Sequence, residues 1–364
     1  LIPFEAQLTP EDVYLSGMAA FTNLIRVGTT CFAEHGARHP EQLAKAAEEV
    51  GIRGLMAIST MDMDTGLPAL PDNMLFSTEE AIEKNLEVVQ RWPFQNDGDD
   101  SLLRGVFSLR QIIVCTPQLI QRTAQLAAEH GTMVQTHANE GHYEVYHALD
   151  HHGKRPAEYL ESLDLLSANV IAAHSVLLSD REVELYAKHQ VGVAHCPVAN
   201  FASLGMAKLV QMRKLGMKVG LGTDGANGGS LDLFEAMKLS RIGQALHYGA
   251  PYLDGDVVSP FELVTMATLG GAHVCGLDEE IGSLEVGKRA DLLIIKPGIN
   301  AVPIDDPYFA IVNALHGSDV GDVIINGKTV MRDGRIVTVD EEAIAREVTV
   351  RAPQLRQALL DRLH

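Results

Sequence analysis

The stretch Met217-Lys218-Val219-Gly220-Leu221-Gly222-Thr223-Asp224 decides how the rest of the chain is read. Its apolar run has the length of a buried strand, and it ends on an aspartate in a glycine-rich turn ahead of a helical pattern at 231–246. In a β/α barrel the strand-to-helix turns form the face on which chemistry is done. A carboxylate closing an apolar strand is costly unless it binds a metal, a proton or a partner. Two upstream runs end on histidines: Met133-Val134-Gln135-Thr136-His137 and Val170-Ile171-Ala172-Ala173-His174. Three apolar strands ending on His, His and Asp can form a metal site with an activated water.

Working outward, a strand-turn-helix pattern repeats through the first three quarters of the chain. The spacing predicts strands at 29–34, 52–57, 103–109, 132–137, 169–174, 191–195 and 218–224. Helical periodicity follows at 40–50, 78–91, 117–130, 180–189 and 231–246. Ser77-Thr78-Glu79-Glu80 and Thr116-Pro117 are helix starts. Alternating strands and helices imply a parallel sheet with helices outside, and near-continuous apolar strands fit a sheet buried on both faces. The expected fold class is α/β, a (β/α)8 TIM-type barrel. Seven strands are visible where the barrel needs eight, and 11–27 reads as a helix with no strand before it. The first strand is therefore expected upstream of Leu1. An open doubly wound sheet needs no eighth strand, but no nucleotide-type glycine loop supports it.

After about residue 276 the texture changes to turns and short apolar strands, with hairpin signals at Asn326-Gly327 and Asp333-Gly334. The division expected is a barrel over 1–276 and, over 277–364, part of a small β-sandwich with a last helix from about Glu341. The polar loop 93–101, with Asp97-Gly98-Asp99-Asp100, is expected to be mobile.

A net charge of −19 argues against nucleic acid and anionic membrane as partners. The cysteines Cys31, Cys115, Cys196 and Cys275 are scattered and form no CxxC pair, which points to free thiols in a reducing compartment, the cytoplasm. No signal peptide and no bilayer-length apolar run is found.

His137-Ala138-Asn139-Glu140 is the first candidate constellation. A neutral strand-end imidazole is a ligand for zinc or iron, and Glu140 could turn back over the same site to move protons. The competing reading is a solvated loop, since His142, Glu144, His147, His151 and His152 crowd behind it. His174 arrives on the next strand at the same level, which favours function over a satisfied core histidine. His195, in Ala194-His195-Cys196-Pro197, is a candidate for substrate contact, balanced against a structural role.

In this order, His137-x-x-Glu140, His174, His195-Cys196-Pro197-Val198-Ala199-Asn200 and Gly222-Thr223-Asp224-Gly225 resemble the amidohydrolase superfamily. The branch they look like is the heterocycle aminohydrolases and chlorohydrolases: deaminases of cytosine, guanine and S-adenosylhomocysteine, and s-triazine hydrolases. Val27-Gly28-Thr29-Thr30, 281–291 and Asn326-Gly327-Lys328 extend the resemblance over nearly the whole chain. It implies one divalent metal, zinc or iron, with His137 and Asp224 as ligands. Asp224 would also deprotonate the metal's water, Glu140 would protonate a ring nitrogen, and His174 would stabilise charge beside the attacked carbon. The activity implied is hydrolytic deamination of a purine, pyrimidine, pterin or triazine by a homo-oligomer. Amide hydrolysis, dechlorination and a non-catalytic barrel are the alternatives.

Two departures stand out. The family's His-x-His pair is absent, so the remaining metal ligands are expected upstream of Leu1; His35 and His39 follow the second strand and are poor substitutes. Ser108-Leu109-Arg110-Gln111 carries Arg110 where nucleoside-processing relatives place a histidine-containing turn. Its planar cation is a candidate to bind a substrate carboxylate or carbonyl, against an ion pair with an acid such as Glu34. Specificity is expected in the loops 59–77 and 225–230.

Overall fold

The computed structural model describes residues 2–66, 70–95, 100–201, 203–226, 228–253 and 257–363. Eight short parallel segments carry the pattern: β1 Cys31–Ala33, β2 Arg53–Met56, β3 Leu103–Gly105, β4 Phe107–Leu109, β5 Met133–Ala138, β6 Asn169–His174, β7 Gly192–His195 and β8 Val219–Leu221. They pair in sequence order as β1-β2-β3 and β4-β5-β6-β7-β8. β3 and β4 are one predicted strand, broken at Val106, whose N–H donates to Met56 O. The break has a packing cause. A Cβ on Gly105 would lie 2.7 Å from Val88 O and 2.8 Å from Trp92 O, so the helix Thr78–Arg91 presses on the strand's backbone there. β2, β3 and β4 are buried at every position, as a sheet covered on both faces requires.

The helices form where the sequence places their caps. Ser77 and Glu80 make a reciprocal capping box for Thr78–Arg91, and the Thr116 side chain accepts from Leu119 N at the start of Pro117–Glu129. The predicted helix at 231–246 runs as Leu233–Gln244 and then widens into a π turn, Ala245–Gly249.

The C-terminal part is one antiparallel sheet among the described residues, in the order β12-β11-β10-β9: β9 Leu292–Ile295, β10 Val320–Ile325, β11 Lys328–Arg332 and β12 Arg335–Ile336. A second sheet, which a sandwich needs, is not among them. Both hairpin signals form turns with positive φ at each central residue, Asn326 at 50° and Gly327 at 77°, Asp333 at 50° and Gly334 at 71°. The sheet is not a detached layer. Val320, Val323, Ile325, Val330 and Met331 belong to the same buried cluster as Ile25, Val50 and Ile52. Asp291, just ahead of β9, accepts from Arg53 of β2 at 2.8 and 3.0 Å, with both side chains almost fully buried. The helix Glu341–Leu363 returns to the helix Pro10–Arg26, where Arg351 grips Asp12 at 2.5 and 2.9 Å. Asp97, Gly98 and Asp99 of the loop expected to be mobile lie outside the described residues. Among the described residues, no helix is long and apolar enough to cross a membrane.

Candidate active site

The ends of β5 and β6 bring together three of the residues singled out by the sequence. In the ladder His137 is level with Ala173, and His174 with Ala138. Regular alternation would therefore send the two rings to opposite faces. The backbone of His174 breaks that alternation with φ of 71°, followed by Ser175 at 53°. The His174 ring then stacks beside His137, centroids 5.3 Å apart and 17° from parallel. Asn139 at 51° and Asp224 at 56° are left-handed as well. Asn and Asp adopt this region readily, whereas the left-handed His174 and Ser175 carry backbone strain that the surrounding structure must hold.

His137 is held by its Nδ1–H, which donates to Arg110 O at 2.8 Å. That bond fixes the tautomer and leaves Nε2 with its lone pair. Burial, with the neighbouring His174 and Arg110 charges, pushes the imidazole down to about 4, so it is neutral at pH 7. A neutral imidazole with one nitrogen tied to a carbonyl is the form in which histidine ligates metal. His174 is buried; Asn200 Nδ2 donates to its Nδ1 at 2.9 Å, so its proton sits on Nε2. Nε2 lies 3.7 Å from Glu140 Oε1, too far for a direct hydrogen bond and close enough for both to meet one substrate atom.

His195 ends β7, fully buried, with neither ring nitrogen in a hydrogen bond. Burial and then the His174 charge push it down to about 3. Asp224 stands three residues beyond β8, where its Oδ1 accepts Gly225 N–H at 2.7 Å. Its charge adds to burial in driving the adjacent Cys196 thiol up to about 12. Among the described residues no group of three His, Cys, Asp or Glu side chains converges as a metal cage.

Arg110 is an ion-paired residue. Its guanidinium donates to both oxygens of Glu5, at 2.9 and 3.1 Å, and its Nη1 is 3.4 Å from Ser59 Oγ. The acid is Glu5 rather than Glu34. Burial raises the Glu34 carboxyl, and the Arg110 charge opposes that rise. His35, a poor substitute for the absent ligand pair by its position after the second strand, packs its ring edge-on against His137, centroids 3.8 Å apart, with a buried Nε2 that has no partner. The chain enters this site through Gly36, at φ 130°, where a Cβ would fall 2.1 Å from Ser59 N. Asn200, Gln111 and Tyr143 also belong to the site. Asn200 and Gln111 lie inside quoted motifs without a role read from them. Tyr143 carried no signal beyond its nearness to Glu140.

Two donors of the kind such a metal takes stand at these strand ends, His137 and Asp224, and among the described residues they are fewer than the three protein ligands a catalytic site uses. His137 offers an unencumbered Nε2, and Asp224 is a half-buried carboxylate at a strand end.

Residues 2–330 match the Amidohydrolase family. The chain is 34% identical over 353 residues to the 5-methylthioadenosine/S-adenosylhomocysteine deaminase of Moorella thermoacetica, covering 96% of this chain and 78% of that protein. It is 31% identical over 359 residues to the 5'-deoxyadenosine deaminase of Methanobrevibacter smithii, covering 98% and 79%. The crystal structure of an adenosine deaminase from Xanthomonas campestris with bound zinc superposes with a TM-score of 0.87 at 26% identity, over 99% of this chain and 78% of that one. With this match over most of its length, and with histidines, a glutamate and an aspartate at the strand ends, the chain belongs to the amidohydrolase family.

Proposed function

We propose that the chain catalyses hydrolytic deamination of a 6-aminopurine nucleoside, releasing ammonia and leaving a carbonyl on the ring. The observation that carries this reading is the juxtaposition of Glu140 Oε1 and His174 Nε2 at 3.7 Å beside His137. An acid and an N–H donor facing one point suit a ring nitrogen and the carbon next to it. The names of the relatives, deaminases of adenine nucleosides, point to the same chemistry.

The roles divide as follows. Glu140 gives a proton to the ring nitrogen, which makes the adjacent carbon electrophilic. His174 donates Nε2–H to the developing charge at that carbon. Asp224 takes a proton from the attacking water and passes it to the leaving amine. The water oxygen becomes the ring carbonyl; one of its protons leaves in ammonia and the other replaces the one Glu140 gave. His137 and Asp224 would hold a single divalent cation, zinc or iron. Bound there, it supplies Lewis acidity that lowers the pKa of water from ~15.7 toward neutrality. One of the two unpartnered nitrogens of His195 would meet a polar substrate atom, and Arg110 would meet substrate as half of its pair with Glu5.

The reading includes the division into a barrel over 1–276 and an appended β-domain with a terminal helix over 277–364, in a cytoplasmic homo-oligomer. The test is ammonia release from a substrate panel by zinc-supplemented protein. Turnover of 5'-methylthioadenosine, S-adenosylhomocysteine or 5'-deoxyadenosine is expected. Turnover of triazines or cyclic amides, with none of adenine nucleosides, would sink it.

A further inference from the structure

The carboxylate of Glu140 is held unequally. Its Oε2 accepts from the Tyr143 hydroxyl at 2.6 Å and from Gln111 Nε2 at 3.2 Å. The same Gln111 amide lies 3.1 Å from the Tyr143 oxygen and 3.3 Å from Glu144 Oε2. Glu144 Oε2 in turn accepts the backbone N–H of Glu140 at 2.9 Å. Gln111 and Glu144 are buried, so the frame is fixed from the protein side. Oε1 faces His174 instead.

Gly141 makes room for this arrangement. Its backbone is extended, with φ of −139°, which any residue can adopt. A Cβ there would lie 2.5 and 2.8 Å from the Tyr143 ring. The missing side chain is what lets that ring fold back over Glu140.

We propose that Gln111 and Tyr143 are positioning residues that give the two oxygens of Glu140 separate work, with Oε2 anchored and Oε1 carrying the proton to the substrate ring. The proposal rests on the deaminase reading. Both donors reach only Oε2, so a proton arriving on the carboxyl goes to Oε1, the oxygen aimed into the site. Without them the carboxyl rotates, and the fraction correctly aimed falls. Losing a donor also makes the carboxylate hold its proton more tightly.

Carbon-13 labelling of glutamate carboxyls makes this readable by NMR, with the Glu140 signal assigned by its absence from Glu140→Gln. The midpoint for Glu140 should rise by about one pH unit in Tyr143→Phe and in Gln111→Met. In parallel, kcat for ammonia release should fall about tenfold with KM nearly unchanged. Gly141→Ala should reproduce Tyr143→Phe in both readouts. Unmoved midpoints in both single variants would overturn the proposal, with or without turnover. Shifted midpoints at wild-type kcat would overturn the separate work of Oε1. A wild type that releases no ammonia, with midpoints shifted as expected, would keep the clamp and remove the deaminase reading instead.

Discussion

Glu144 places a carboxyl where a charge is poorly tolerated. Burial pushes it up to about 8, and the Glu140 charge adds to the rise, while the backbone of Glu140 and Asn139 and the Gln111 amide oppose it. Its ordinary value is 4.5, so the folded state holds this proton more tightly than the unfolded chain does. The stabilisation is complete below about 4.5 and is lost as pH rises through about 8. Its full size is on the order of a few kcal/mol. Wild-type melting temperature should therefore fall between pH 5 and 8 more steeply than that of Glu144→Gln. Parallel curves would show that Glu144 is ionised throughout.

How much of the site was legible residue by residue follows from where the chemistry sits. His137, Glu140 and His174 could be read because each closes or follows an apolar strand. Their mutual approach could not, because it depends on the left-handed turn at His174, which a strand pattern does not encode. The partners of the site were hidden for the same reason. Asn200 reaches His174 from beyond β7, and Glu5 reaches Arg110 from the short N-terminal helical turn Ile2–Glu5. These are long-range meetings set by how loops fold over the strand ends.

Among the elements, the helix His142–His152 has no side-chain cap and stands where a solvated loop was the competing reading. The parallel strands and the capped helices were legible, because burial on both faces and the caps act locally. The break at Val106 was not, since it comes from the helix Thr78–Arg91 packed on Gly105. Besides the shared apolar cluster, Arg53 and Asp291 join the parallel strands to the antiparallel sheet, with side chains 4% and 3% exposed. Asp291 Oδ1 also receives Asn326 N–H at 2.7 Å, so one carboxylate ties β2 to the β10–β11 hairpin. Breaking a buried pair from one side leaves an uncompensated charge and costs about 3–5 kcal/mol. Arg53→Met should lose that much in urea unfolding, and Arg53→Met with Asp291→Leu should recover most of it. A single variant as stable as wild type would mean the pair does not hold the sheet.

For the molecule as a whole, a net charge of −19 and strand ends bearing His137, His174, Glu140 and Asp224 fit a small-molecule enzyme. Ammonia release by Glu140→Gln, with zinc and S-adenosylhomocysteine or 5'-methylthioadenosine, tests the central claim most directly. Glutamine keeps the shape of the side chain and cannot deliver the proton. With wild type turning over, the variant should lose about 10²–10⁴-fold in kcat, the usual worth of a positioned acid. Turnover by Glu140→Gln at the wild-type rate would contradict the account.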